Sequence, residues 1–212
     1  MSSKNQSKGG MTLANRITIL RILAVPVFIL MLMYYTMGLA RGQAQELHRI
    51  VALIIFLAAA ATDALDGYLA RSRDEITHLG KILDPLADKA LLLSALIILT
   101  RPSLPTPEPH IPIWFTVLVI SRDVVLILGA AVIHAVAGTV VVKPRMVGKI
   151  ATFFQMVAVA WVLSQGGAGL FAFWVGTAGF FTFVSGIWYL FDGLRQLEKH
   201  SSVPRPDATA RS

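Results

Sequence analysis

Four aspartates at helical spacing, Asp63, Asp66, Asp84 and Asp88, flank a polar stretch that holds a fifth, Asp74, in one short part of an otherwise oily chain, "DALDGYLARSRDEITHLGKILDPLAD". On a helix, Asp63, Asp66, Gly67 and Ala70 fall at i, i+3, i+4 and i+7, so two carboxylates and two small residues share one face. Gly80, Asp84 and Asp88 recur every four residues and line one face of a following helix. Each Asp costs about 2.5 to 3.5 kcal/mol at bilayer centre, and like charges oppose one another's ionisation. Four carboxylates converging on one cavity therefore need a cation. Arg71, Lys81 and Lys89 are among the bases near them in sequence, and an oxygen-only donor set without Cys or clustered His suits a hard divalent ion such as Mg2+ or Mn2+. Magnesium takes one or two carboxylates and leaves its other positions to water and substrate phosphates, so four aspartates suffice for two ions bridging a phosphate ester. Two competing readings are carboxylates salt-bridged to neighbouring bases and the cation path of an ion-coupled transporter. Gly67, Ala70 and Gly80 favour a bulky ligand that must approach the backbone. No inverted repeat of the kind many transporters carry is present.

The elements that must position these residues are apolar runs near 22–40, 50–62, 90–100, 111–137, 150–165 and 168–191, in a chain that is 55% hydrophobic. Each run approaches the ~20 residues a spanning helix needs. The expected fold is all-α, an integral membrane bundle of six transmembrane helices over 13–195, with disordered tails at 1–12 and 196–212. No positive segment with a cleavage site precedes the first run, so that run should stay as a helix. The short polar stretch 72–79 predicts that the third helix returns antiparallel beside the second. Pro85 is either a first-turn residue of that helix or a kink inside it.

Of the 19 basic residues, most fall in the N-terminal segment, the 71–89 region, the 143–149 stretch and the C-terminal tail. Those segments alternate along the chain, which places both termini and the 71–89 and 143–149 loops in the cytoplasm. The net charge of +7 reads as orientation plus attraction to anionic membrane lipids, with no nucleic-acid partner. Arg21 is read as an orientation charge. Arg122 lies inside the fourth span and needs Asp123, Asp192 or an anionic substrate as its partner. Lys143, Arg145 and Lys149 are either positive-inside bias or a phosphate pocket. The five histidines are scattered without ligand spacing, and the absence of cysteine excludes disulfides and thiolate chemistry. Ala172, Gly176, Gly179 and Gly186 form a small-residue stripe suited to packing within the chain.

"DALDGYLAR", eight residues and "GKILDPLAD" resemble the motif of the CDP-alcohol phosphotransferase family, D-x2-D-G-x2-A-R-x8-G-x3-D-x3-D, with every fixed position present. The resemblance extends to "NRITILR", "ISRDVVLILG" and "KPRMVGKIATFFQM", and so covers most of residues 14–190. It implies six helices with a polar cavity facing the cytoplasm from the cytoplasmic membrane, and commonly a homodimer. It implies attack by an alcohol on the lipid-side phosphorus of CDP-diacylglycerol, with release of CMP. By the same resemblance Asp63, Asp66, Asp84 and Asp88 hold two divalent cations, Mg2+ or Mn2+, and Asp88 is also the catalytic base. Asn15, Thr18, Gly67, Ala70, Arg71, Thr77 and Gly80 match positions around the CDP group. Lys81, Arg122, Lys143, Arg145 and Lys149 are the candidates for the acceptor. "DPLADK" and "GKIATFFQMVAVAWVL" resemble members that use glycerol 3-phosphate, the expected acceptor. "ISRDVVLILG" and "VKPRMVGK" also resemble members that use phosphatidylglycerol, the alternative.

Overall fold

The structure is a computed structural model that describes residues 13–69, 80–103, 105–137 and 146–201; within its helices the side chains of 13–18, 63–69, 80–86, 88, 134, 136–137 and 196–201 are outside the description. Six helices follow in chain order: α1 (Leu13–Ala40), α2 (Glu46–Leu69), α3 (Gly80–Leu99), α4 (Ile113–Ala137), α5 (Met146–Leu163) and α6 (Ala168–Ser201). The all-helical expectation holds. Among the described residues, four segments are long and apolar enough to cross a membrane: Ile19–Ala40, Ile113–Ile133, Met146–Leu163 and Ala168–Arg195. α2 and α3 are the helices that carry the aspartates. Pro85 lies inside α3, more than a turn beyond its start at Gly80, which answers the question its sequence position left open. α6 runs six residues past Arg195 into the segment expected as a tail, because "QLEKHS" is led by good helix formers. The expected tail 1–12 and the loops 70–79 and 138–145 are outside the described residues.

The chain packs as two compact units, one of Met1–His110 with Val159–Gly166, the other of Ile111–Ala158 with Gly167–Ser212. In the first, α1 packs along both α2 and α3, and α2 and α3 touch over a shorter stretch. The rings of Phe28 and Phe56 meet at 5.8 Å and those of Tyr34 and His48 at 5.7 Å, so α1 and α2 run antiparallel. Phe28, Leu32 and Tyr35 from α1, Ala52, Phe56 and Ala59 from α2, and Leu91, Leu92, Ala95, Leu96 and Leu99 from α3 are buried together in this unit. The opposite faces are apolar and exposed, with Leu20, Leu30, Ile54, Leu57 and Ile97 turned outward, a pattern that suits lipid as the surrounding solvent.

The ends of these helices are closed by turn chemistry. After α1, Gly42 takes the left-handed conformation at φ 66°, and the amide of Gln43 donates back to the carbonyl of Gly38 at 2.9 Å, which satisfies carbonyls the helix end would leave open. After α5, Gln165 takes the equivalent position at φ 57°, and its side-chain amide donates to the Tyr35 hydroxyl at 3.2 Å. Gly166 follows because a Cβ there would stand 2.3 Å from the Trp161 indole. Arg49, paired with Glu46 at 2.7 Å, donates to the Leu163 carbonyl, so a cation sits at the negative end of α5. The end of α1, the start of α2 and the end of α5 thus share one end of the unit, and Asp63 and Asp66 lie toward the other end of α2.

In the second unit α4 packs along α6. Gly179 admits the Trp114 ring, 3.0 Å from where a Cβ would stand. Phe154 stacks on Phe181 with ring centroids 6.2 Å apart and 6° between planes. Gln155 donates to the Thr182 hydroxyl at 2.7 Å, and that hydroxyl donates to the Ala178 carbonyl, so neither buried polar group is left open.

Candidate active site

The buried stripe of α2 runs Ala52, Phe56, Ala59, and the same spacing of three and four carries on to positions 63 and 66. In α3 the buried residues Leu99, Ala95 and Leu92 lead back, again in steps of three and four, to positions 88 and 84. The four aspartates therefore occupy helix positions that prolong the packed faces of their helices. Both helices keep this register through the motif, and Gly67 and Gly80 sit in α2 and at the start of α3.

The carboxylate groups themselves are outside the described side chains, as are those of Asn15, Thr18 and Lys81. Ala70, Arg71, Thr77, Lys143 and Arg145 lie outside the described residues altogether. Among the described residues no three His, Asp or Glu side chains could share a metal ion. The chemistry of the donor set carries the fit: four carboxylates, with no Cys in the chain and no clustered His in its sequence, match a hard divalent cation.

Arg21, read from the sequence as an orientation charge, is buried, 4% exposed. The physical reason is its place on α1: Arg21, Phe28 and Tyr35 repeat every seven residues, and the other two form the packed face of that helix.

The part of the expected site that is described atom by atom lies in the second unit. Arg122, in α4, donates from Nη1 to Asp123 Oδ1 at 2.8 Å and from Nη2 to the Ser185 hydroxyl at 3.1 Å. Its guanidinium carbon stands 5.6 Å from the centre of the Tyr189 ring, in the range of a cation–π contact. Both members of the ion pair are 9% exposed at the side chain. Asp123 is thus the carboxylate that meets the need foreseen for Arg122, although adjacent helix residues do not normally face one another; the length of the arginine stem bridges the difference. Two glycines make room. A Cβ on Gly148 of α5 would stand 2.7 Å from Nη2, and one on Gly186 of α6 would stand 3.6 Å from Cγ.

This arrangement gives a guanidinium fixed on three sides that retains unused donors. Arg122 Nε is buried and has no acceptor among the described residues, and each terminal nitrogen carries a second N–H. Lys149, next to Gly148 in the first turns of α5, is exposed. Sequence reasoning missed Ser185 and Tyr189; nothing in their spacing relative to Arg122 signals the contact. Gly148 stood in "VKPRMVGK" and Gly186 in the small-residue stripe, so both had a signal without a partner. That stripe divides: Gly179 and Gly186 pack within the unit, whereas Ala172 and Gly176 are exposed.

Comparison with known proteins gives a consistent result. A sequence model of the CDP-alcohol phosphatidyltransferase family matches residues 11–188. A Bacillus subtilis protein named CDP-diacylglycerol--glycerol-3-phosphate 3-phosphatidyltransferase is 38% identical over 186 residues, covering 82% of this chain and 91% of the relative. A Mycobacterium tuberculosis protein named probable phosphatidylglycerophosphate synthase is 40% identical over 148 residues, covering 69% of this chain and 63% of its own length. A Streptomyces coelicolor protein named cardiolipin synthase (CMP-forming) is 28% identical over 162 residues, covering 76% of this chain and 69% of its own. No solved structure matches the chain.

Proposed function

The chain belongs to the CDP-alcohol phosphatidyltransferase family, and from that premise we propose that it transfers the phosphatidyl group of CDP-diacylglycerol to glycerol 3-phosphate, releasing CMP and forming phosphatidylglycerophosphate. The observation that carries the acceptor is the Bacillus subtilis relative, which bears that activity in its name and is matched over 91% of its length. Four apolar helices together with family membership make the chain an integral membrane protein. Membership in a transferase family sets the transporter reading aside. The protein acts in the cytoplasmic membrane, with its aspartates toward the cytoplasm and as a homodimer.

In the proposed reaction, Asp63, Asp66, Asp84 and Asp88 would hold two divalent cations, Mg2+ or Mn2+. When bound, such ions neutralise charge that develops on the diphosphate. Asp88 takes the proton from the acceptor hydroxyl. The hydroxyl oxygen forms a bond to the lipid-side phosphorus as the bond between that phosphorus and the bridging oxygen breaks, and CMP leaves with the electron pair. Gly67, Ala70 and Gly80 leave space for the nucleotide beside the helix backbones, with Asn15, Thr18 and Thr77 as its polar contacts. Arg71 binds phosphate oxygens through its planar fork. Arg122, Lys81, Lys143, Arg145 and Lys149 are the proposed contacts of the acceptor phosphate. For Arg122 the support is its geometry, a fixed guanidinium with donors to spare.

The second reading, transfer to phosphatidylglycerol, is favoured by the Streptomyces coelicolor relative. An assay that offers glycerol 3-phosphate and phosphatidylglycerol separately, with CDP-diacylglycerol and Mg2+, separates the two. Lipid product from glycerol 3-phosphate supports the proposal; product from phosphatidylglycerol alone moves the assignment to the second reading.

A further inference from the structure

We infer that Ser185 and Tyr189 of α6 complete, with Arg122, a seat for the terminal phosphate of the acceptor, each donating its hydroxyl proton to a phosphate oxygen. The inference rests on the acceptor role proposed for Arg122 and goes beyond it in naming the residues that tell one class of phosphate from another.

Three polar atoms from two helices converge on one point. A Cβ on Gly148 would stand 2.7 Å from Arg122 Nη2, 3.4 Å from Ser185 Oγ and 3.5 Å from the Tyr189 hydroxyl oxygen. Arg122 comes from α4, whereas Ser185 and Tyr189 lie four residues apart on one face of α6. Glycine at 148 lets them gather, because a side chain there would take the place where they meet.

The cluster is rich in donors. Ser185 is 2% exposed and accepts from Arg122 Nη2 at 3.1 Å, which leaves its own proton in need of an acceptor. Thr152 and Thr182 in the same unit meet that need by donating to the carbonyl four residues back. Among the described residues Ser185 makes no such bond, and the Tyr189 hydroxyl has no hydrogen-bond partner, although its ring lies 5.6 Å from the guanidinium carbon. Arg122 Nε is buried and unpartnered among them too. The acids of this unit whose side chains are described are Asp123, which Arg122 Nη1 engages, and Asp192, one turn beyond Tyr189 and itself engaged. Against these two stand Arg122, Lys149 and Arg195.

Hydroxyl and N–H donors around a fixed cation suit a ligand that only accepts and is negatively charged. A phosphomonoester fits: three terminal oxygens face one guanidinium and two hydroxyls. The diester of phosphatidylglycerol presents two such oxygens and carries carbon on the other two. The seat therefore favours a terminal phosphate, as in glycerol 3-phosphate.

The test takes Tyr189→Phe, which keeps the ring beside Arg122 and removes the hydroxyl, together with Ser185→Ala. CMP release by the purified full-length protein is followed at varied glycerol 3-phosphate, with CDP-diacylglycerol and Mg2+ in excess and inorganic phosphate as the competitor. Each variant should raise the KM for glycerol 3-phosphate about five- to tenfold, weaken inhibition by inorganic phosphate to a similar degree, and leave the KM for CDP-diacylglycerol within about twofold. Tyr189→Phe should also keep the wild-type thermal midpoint, since the hydroxyl it removes has no partner among the described residues. An unchanged acceptor KM in Tyr189→Phe would overturn the inference, and a lowered midpoint beside it would make Tyr189 a structural residue.

A wild type that makes no product from glycerol 3-phosphate would overturn the acceptor reading instead. Calorimetric titration of inorganic phosphate into the three proteins, with divalent ions chelated, then decides the seat. Binding that weakens about fivefold or more in both variants supports it. Equal binding in all three, or none by the wild type, overturns it.

Discussion

Arg21 in α1 and Arg122 in α4 are both arginines buried in apolar helices, and they are held in different ways. Arg122 carries its counter-charge with it: Asp123 is the next residue, and Ser185 and Tyr189 complete the enclosure from α6. Arg21 has no acid within four residues in the chain, so a carboxylate that faced it would have to come from another helix. A pair made within one helix survives small shifts of its neighbours. A pair made between helices depends on their register. The first arrangement suits a cation kept ready for a ligand, the second a cation that orders other residues.

Four substitutions sharpen or break this comparison, from the largest effect to the smallest. Asp123→Asn should cost about 3 kcal/mol of stability, because it leaves the Arg122 guanidinium buried with only neutral partners. A thermal or denaturant measurement that finds under about 1 kcal/mol would mean that Arg122 is compensated by something other than its neighbour. Gly148→Ala should cost about 1–3 kcal/mol, since the new methyl would stand 2.7 Å from Nη2 and push the guanidinium from its seat. An unchanged midpoint would show that the arginine moves aside freely. Arg122→Lys keeps the charge beside Asp123 and removes the fork, so the KM for glycerol 3-phosphate should rise about tenfold with the KM for CDP-diacylglycerol little changed. An unaltered acceptor KM would make Arg122 a structural charge alone. Gly176→Ala should stay within about 1 kcal/mol of the parent and lean toward stabilisation, because a Cβ there meets nothing within 4 Å and alanine is the better helix former. A marked loss in the same unfolding measurement would show that the exposed end of the small-residue stripe is covered by another surface.

Much of the architecture was legible because a long helix announces itself by length and apolarity: six runs became six helices, four of them long and apolar enough among the described residues to cross a membrane, and the aspartate positions of α2 and α3 kept the three-and-four spacing. The acid next to Arg122 was legible for the same local reason. Ser185 and Tyr189 were not, because contacts between residues more than sixty apart depend on how α4 packs along α6, which spacing along one helix does not encode. The burial of Arg21 was not legible, because it follows from the packing of its heptad partners, Phe28 and Tyr35, against other helices. Gly186 and Gly176 show the same limit from the other side. They belong to one stripe in sequence, yet one packs against Arg122 and the other faces outward.

The central claim, a phosphatidyl transfer that depends on the aspartate motif, is tested most directly by CMP release from CDP-diacylglycerol and glycerol 3-phosphate with Mg2+, wild type beside Asp88→Asn. The account predicts CMP and phosphatidylglycerophosphate in equal amounts from the wild type, and turnover lowered by about a thousandfold or more in a variant that still folds in the membrane. Near-normal turnover by Asp88→Asn, or no CMP from the wild type with this acceptor, would contradict it.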